Sequence, residues 1–392
     1  MERGASVTAV ERNNGFQKWR ADTPGCEAVC HFNHAGASLP PKPVIDAVSA
    51  YLECEARIGG YEAADEQAET LSMFYQHAAK LIGADPSEIA FTQSATEAAF
   101  SALISIDWKP GDRVLVHESE YTSNLMALSW LKERFGLEID VVETGQDGQF
   151  DPADFQRAVS KRTRLICVTH LPTFSGAVQA AAEVGQIAKN HGVLYALDAC
   201  QSVGHLNVNV EEMKCDFLYA TGRKYLRGPR ASGFLYVRSS ILEKLKPLAD
   251  LHGGQGGISG LHYYEGARRF ERFEFSRSGQ AGLSAALDYA LDIGIPTITA
   301  FIVSAAQNLH DRLSIISGLS VDPPAFRQSG IVTIKSRFDS NDLMQDLRRE
   351  SIHTSVSLRP NGEQRLRLSA HYLTNEDDIE RAASAIEKLV NA

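Results

Sequence analysis

Seven short apolar runs, EIAFTQ, RVLVHE, EIDVVE, RLICVTH, VLYALDA, DFLYATG and GFLYVR, punctuate the first two thirds of the chain. Most are separated by helix-like stretches such as AAEVGQIAKNHG or SNLMALSWLKERFG. Runs this apolar suit strands buried on both faces, and a helix between two of them supplies the crossover that a parallel pair requires. The alternation therefore predicts an α/β fold, with a mostly parallel seven-stranded sheet between two layers of helices, over about residues 45 to 250. KPVIDAVSAYLECEARI opens this region as a long helix, with Val44, Ile45, Val48 and Leu52 at helical spacing. From about residue 300 the rhythm becomes helix, strand, helix, two strands and helix, which predicts a smaller α+β domain. The expected division is an N-terminal segment at 1–44, a large domain at 45–280, and a connecting helix with the small domain at 281–392. HGGQGGISG (252–260) is expected to be a flexible glycine loop.

Composition removes several classes of function. The net charge of −10, with both signs interleaved, gives no reason to expect a nucleic-acid partner. The start lacks an apolar leader, and no later apolar run approaches the roughly 18 residues that span a bilayer, so a cytoplasmic protein without a membrane partner is expected. Six cysteines (26, 30, 54, 167, 200 and 215) include no CxxC pair, which indicates neither a disulfide framework nor a metal site.

In an open α/β sheet, ligands bind beyond the carboxyl ends of the strands. After EIAFTQ comes SATEAA, in which Ser94 and Glu97 form a capping box and the N–H groups of Ala95 and Thr96 face outward, suiting a phosphate or merely capping a helix. SEYTSN offers Tyr121 as a flat surface, or as a side chain packed on the next helix. VLYAL ends in Asp198, a carboxylate that wants a cation or donor, or serves as a cap. DFLYA runs into TGRK, where Thr221 and Lys224 reach the same edge, and flanking Arg223, Arg227 and Arg230 should lower the Lys224 pKa. A phosphate subsite, an aromatic face, a buried carboxylate and an activated amine on one rim are the four requirements of pyridoxal 5′-phosphate (PLP).

These segments resemble the class V aminotransferase family of fold-type I PLP enzymes. The likeness runs through FNHAGAS (32–38), IGGYEA (58–63), TQSATEAA (92–99), SEYTSN (119–124), ALDACQSVGH (196–205), TGRKYLRGPRASGFLYV (221–237) and LRLSAHYLTNEDDI (366–379). The resemblance implies that Lys224 forms the aldimine with the cofactor and moves the Cα proton. It implies that Asp198 meets the pyridine nitrogen, Gln201 meets the ring hydroxyl, and Tyr121 stacks where desulfurases have His. Ala95, Thr96, Thr221 and Arg223 would hold phosphate. Arg367 would bind the substrate α-carboxylate, with Ala35 and Gly36 of the NHAGA turn beside it. A homodimer with shared sites is implied too, with RFEFSRS (272–278) reaching the partner's phosphate.

The reaction is less constrained. GGYEA and RKYLRGPR look closest to the branch of isopenicillin N epimerase-like proteins and hercynylcysteine sulfoxide lyases, with cysteine desulfurases more distant. No Cys lies between Ser351 and Arg367, where desulfurases carry their sulfur-accepting thiol, so a persulfide-forming desulfurase is not expected. An aminotransferase-type reaction ranks first, C–S β-elimination close behind, epimerisation third, and a non-catalytic scaffold last. His170, Thr173, Arg359, Arg365 and His371 are candidates to face the substrate side chain, and their basic character suggests an acidic or sulfur-oxidised amino acid. In GPRASG, Ala231 and Ser232 stand where relatives have Gly and Thr, which questions the local backbone geometry.

Overall fold

The computed structural model describes residues 9–145, 147–258, 260–322 and 329–391, with side chains from residue 15 onward. The seven apolar runs form strands β2 (Ile89–Thr92), β3 (Arg113–His117), β4 (Glu138–Val142), β5 (Thr163–Thr169), β6 (Leu194–Asp198), β7 (Phe217–Thr221) and β8 (Gly233–Val237), after a two-residue β1 (Cys30–His31). They make one sheet in the order β2-β8-β7-β6-β5-β3-β4. Its neighbours are parallel except at β8, which runs antiparallel to both β2 and β7.

Strand alternation divides the core between the two faces of this sheet. On β7 and β8, Leu218, Ala220, Phe234 and Tyr236 face one layer with helices Ala68–Ile82, Ala181–His191 and Arg277–Ile293. Phe217, Tyr219, Leu235 and Val237 face the other, with helices Ala95–Ile104 and Thr122–Phe135. Both faces are thus covered, which is why the strands lack polar alternation. Among the described residues no single helix is long and apolar enough to cross a membrane.

Two local expectations change. Helix Lys42–Ile58 forms, but it buries Val44, Tyr51 and Cys54 and leaves Ile45 and Leu52 exposed, so its inner face is rotated from the one that the apolar spacing suggested. The glycine stretch is a hairpin of β9 (Gly254–Gly257) and β10 (Gly260–Tyr263), paired from Gly257↔Gly260 to Gly254↔Tyr263. Backbone hydrogen bonds suffice to order a segment with few side chains to pack.

The smaller sheet holds β11 (Ser320–Val321), β12 (Ile331–Lys335), β14 (Ser355–Leu358) and β15 (Gln364–Ser369) in the antiparallel order β11-β12-β15-β14. The short β13 (Ile352–His353) pairs in parallel with β1, and Asn33 bridges to Ser369, so residues 30–33 lie alongside this sheet. Arg227, 1 % exposed, locks the arrangement: its Nε donates to the Leu39 carbonyl, Nη1 to Tyr372 Oη at 2.6 Å, and Nη2 to Thr23 Oγ1. One buried cation thereby joins the loop after β7 to the lead segment and the small domain.

Histidines cluster at this junction, with ring centroids 4.7 Å apart for His31–His34, 4.6 Å for His34–His371, and 4.1 Å for His205–Tyr225. Burial pushes His31 down to about 4 and His205 to about 3, and holds His34 and His371 well below the usual imidazole value. These rings stay neutral in the folded state and charge in the unfolded chain below pH ~6.5, so their contribution is present above that pH and lost as pH falls. Each costs up to about 1.4 kcal/mol per pH unit once the unfolded form protonates. Thermal unfolding across pH 7.5 to 4.5 should therefore show stability falling from about pH 6.5; a flat profile down to pH 5 would contradict this. Ala231 adopts φ 54°, a left-handed conformation that costs an L-residue about 1 kcal/mol. Ala231→Gly should raise the melting temperature by about 1–2 °C.

Candidate active site

The carboxyl ends of β5, β6 and β7 meet the N-terminal ends of two helices, and the reactive side chains collect there. β6 delivers Asp198, 3 % exposed, whose Oδ1 accepts from Cys200 N at 2.9 Å and whose Oδ2 accepts from Asn124 Nδ2 at 2.9 Å. Asn124 Nδ2 also donates to Glu120 Oε1 at 2.8 Å, so one amide separates two buried carboxylates. Tyr121 N and the Thr169 hydroxyl donate to the same Glu120 oxygen. Burial, reinforced by Asp198, raises the Glu120 pKa to about 7.

β7 ends at Thr221 and turns tightly into Lys224. Gly222 packs closely there: a Cβ on it would lie 2.4 Å from Ser232 Oγ and 2.8 Å from Leu283 Cδ1, so those side chains would have to shift. Lys224 is buried, with Nζ 5.7 Å from the centroid of the Tyr121 ring. Its pKa is lowered by burial first; Cys200 and Asp198 oppose the shift, and Arg223 and Arg367 add to it. Desolvation, rather than a ring of cations, therefore activates this amine, and Arg230 is exposed at the surface. Cys200 stays a thiol, because burial and Asp198 push its pKa well up.

Helix Ala95–Ile104 begins beside this loop. Ser94 Oγ accepts from Glu97 N at 3.0 Å, while the Glu97 carboxylate accepts from Gln93 N at 2.8 Å, one residue earlier than the expected capping box. The N–H groups of Ala95 and Thr96 open the helix without an intrahelical acceptor. A Cβ on Gly233 would lie 3.4 Å from Ala95 N, and Gly233 is the cross-strand partner of Thr221, so this helix start and Thr221 share one corner. Arg223 donates Nη1 to the Gly36 carbonyl.

β15 supplies Arg367, 6 % exposed and near enough to Lys224 to lower its pKa further. Its Nη1 donates to Thr173 Oγ1 and Nη2 to Asn33 Oδ1 at 3.2 Å, while Nε is buried without a partner. Burial lowers its pKa to about 10, which leaves it a cation at neutral pH. Gln201 Nε2 donates to the Ala35 carbonyl at 2.9 Å and to Thr173 Oγ1 at 3.1 Å, and its Oε1 is buried without a partner. The NHAGA turn, Gln201, Thr173 and Arg367 thus form one connected wall. His170 is buried and held neutral, with a pKa of about 4, and His371 Nε2 engages the Tyr225 carbonyl at the histidine junction.

Sequence reasoning passed over Asn124, Glu120 and Asn33. Glu120 and Asn124 stand four residues apart across the start of helix Thr122–Phe135, a spacing that places them on one side. Asn33 is the first residue of the turn that had already been singled out.

The comparisons agree on family. The model for "Aminotransferase class-V" matches residues 30–381. A probable cysteine desulfurase of Methanothermobacter thermautotrophicus is 29% identical over 390 residues, covering 94% of this chain and 97% of that protein. A second, from Pyrococcus abyssi, is 31% identical over 290 residues and covers 71% of each. The apo structure of a cysteine desulfurase from Thermococcus onnurineus superposes with a TM-score of 0.89 at 25% identity, covering 96% of this chain and 98% of that one. These relatives overturn two expectations: that an aminotransferase-type reaction ranks first, and that the missing loop thiol sets the chain apart from desulfurases. The thiol argument concerned which side chain could accept sulfur, whereas the pocket determines which bond is broken.

The residues present fit the family's cofactor. Lys224 has the buried, activated amine, Asp198 an anion for a protonated ring nitrogen, Gln201 an unused oxygen, and Ala95 and Thr96 open N–H groups for phosphate. Asn124→Ala would leave Glu120 and Asp198 facing each other without their shared donor, costing about 2 kcal/mol of stability and weakening cofactor retention about tenfold. Thermal unfolding with an equilibrium cofactor titration checks this, and wild-type values for both would contradict it. On the family match and this fit, the chain belongs to the aminotransferase class-V family of PLP-dependent proteins.

Proposed function

We propose that the protein breaks the C–S bond of a β-sulfur amino acid of the cysteine type. The observation that carries this reading is the pairing of a buried amine, Lys224, with a buried guanidinium, Arg367, across one wall, in a chain collinear with cysteine desulfurases over nearly its whole length. The GGYEA and RKYLRGPR segments support a place near the epimerase-like and hercynylcysteine sulfoxide lyase branch, whose lyases share C–S chemistry.

When bound, PLP supplies the electron sink that takes up the pair left at Cα. The chain does the rest. Arg367 binds the α-carboxylate through N–H donors that Thr173 and Asn33 hold in place. Lys224, its charged form disfavoured by burial, takes the Cα proton and returns it. Tyr121 would cover the cofactor ring, and Asp198, fixed by Asn124 and Cys200 N, would favour a protonated ring nitrogen. C–S cleavage yields alanine when the sulfane sulfur passes to an acceptor thiol added with the substrate; otherwise, with water taken up, it yields pyruvate and ammonia, together with sulfide from cysteine or a persulfide from cystine. A homodimer is part of this reading, supported by exposed apolar side chains such as Met126 and Trp130.

The test is to incubate holoenzyme with L-cysteine and L-cystine while following sulfide, sulfane sulfur, alanine and pyruvate together. Sulfur release matched mole for mole by alanine or pyruvate is expected, falling at least about a thousandfold in Lys224→Ala. Amino transfer to a keto acid with no sulfur released would sink the proposal.

A further inference from the structure

Beside Asn33 lies a cleft that the reading above does not use. Its strands are the short parallel pair β1 and β13, in which His31 is the register partner of His353, and helix Ser340–Arg349 borders it. Met344 and Arg348 stand four residues apart on that helix and so share the face turned to the cleft. Together with Thr354 and Asn33, these side chains line a space of about 240 Å³. Drug-sized ligands occupy roughly 300–1,000 Å³, so this space suits a molecule the size of a small amino acid. Asn33 Oδ1 accepts from Arg367 Nη2 at 3.2 Å, which leaves one side chain between the cleft and the carboxylate-binding guanidinium.

Among the described residues that line the cleft, Arg348 carries the one full charge, and its guanidinium makes no hydrogen bond or ion pair with any described residue. Burial first, and then Arg348, lower the His353 pKa, and burial keeps His31 neutral, so neither ring competes for an anion's charge. Thr354 is 7 % exposed, and its hydroxyl is buried without a partner. His31 Nε2 lies 2.9 Å from the Ala37 carbonyl, which can only accept, so the ring hydrogen sits on Nε2 and Nδ1 presents a lone pair. That nitrogen is also buried without a partner. Unmatched buried groups of this kind are costly, and here they call for an anion with a hydrogen-bond donor next to it. A carboxylate and an ammonium on one carbon supply both. We propose that the cleft binds a second α-amino acid, with its carboxylate on Arg348 and the Thr354 hydroxyl, its ammonium on His31 Nδ1 and its side chain along Met344. The cleft itself rests on these groups; that its ligand is of the same class as the substrate rests on the reading above.

The test is a calorimetric titration of the holoenzyme with L-alanine, run beside a titration of the cofactor's absorption. Absorption follows the site at Lys224, whereas heat follows both places. Two molecules of L-alanine per chain are expected by heat and one by absorption. Arg348→Gln and Thr354→Val should each weaken the heat-only event at least about tenfold and leave the absorption titration within about twofold. Thr354→Val removes a hydroxyl that has no partner, so it tests the site without depending on the loss of a charge. Propionate, which lacks the amine, should compete for the heat-only event at least about tenfold more weakly than L-alanine. One molecule per chain by both readouts, a heat-only event that survives both variants, or propionate competing as well as L-alanine overturns the proposal. A heat event that depends on Arg348, in a protein that releases no sulfur from cysteine or cystine, would keep the cleft and remove the C–S reading. Sulfur release without a heat-only event would do the reverse.

Discussion

Two carboxylates, Glu120 in the loop after β3 and Asp198 at the end of β6, are buried near each other, and one asparagine amide stands between them. Two full charges in a desolvated place would repel, and burial together with Asp198 raises the Glu120 pKa to about 7, while Asp198 keeps its donors. This fixes the rim. Tyr121, next to Glu120, has its backbone N–H tied to the Glu120 carboxylate, which places its ring over Lys224. Helix Thr122–Phe135 must start where Asn124 can reach both acids.

The remaining parts converge on that rim through the loop after β7. Gly222 permits the tight approach to Ser232, and Arg227 anchors the loop to Thr23, Leu39 and Tyr372. The lead segment is thereby drawn between the large sheet and the small one, bringing the NHAGA turn against Gln201 and Arg367. A cation that looked like one of several in a basic loop is therefore a structural pin, and the amine beside it owes its low pKa mainly to the burial that the pin helps to maintain.

Much of the architecture was legible because it depends on local pattern. Each of the seven apolar runs became a strand, and Asp198 and Thr221 end strands that the runs delimit. What stayed hidden depends on contacts distant in sequence. The inner face of helix Lys42–Ile58 is set by the helices it meets, so Ile45 and Leu52 point outward despite their spacing. β1 and β13, two residues each, carry no periodic signal, yet their pairing holds the lead segment beside the small sheet. Asn124 looks like any polar residue in a first helical turn until β6 brings Asp198 to it. The reaction was misjudged for a different reason: a missing thiol is visible in a sequence, whereas the wall that Arg367, Thr173, Gln201 and the NHAGA turn build from four separate segments is not.

The central claim is that Lys224 moves the Cα proton of an amino acid whose carboxylate Arg367 holds. L-Alanine, which has no leaving group, isolates this: incubated with holoenzyme in D2O, it should exchange its Cα hydrogen for deuterium by NMR. The account predicts exchange in wild type, its loss in Lys224→Ala, and a marked slowing in Arg367→Gln. Exchange that persists in Lys224→Ala, or no exchange by wild type with cofactor bound, would contradict it.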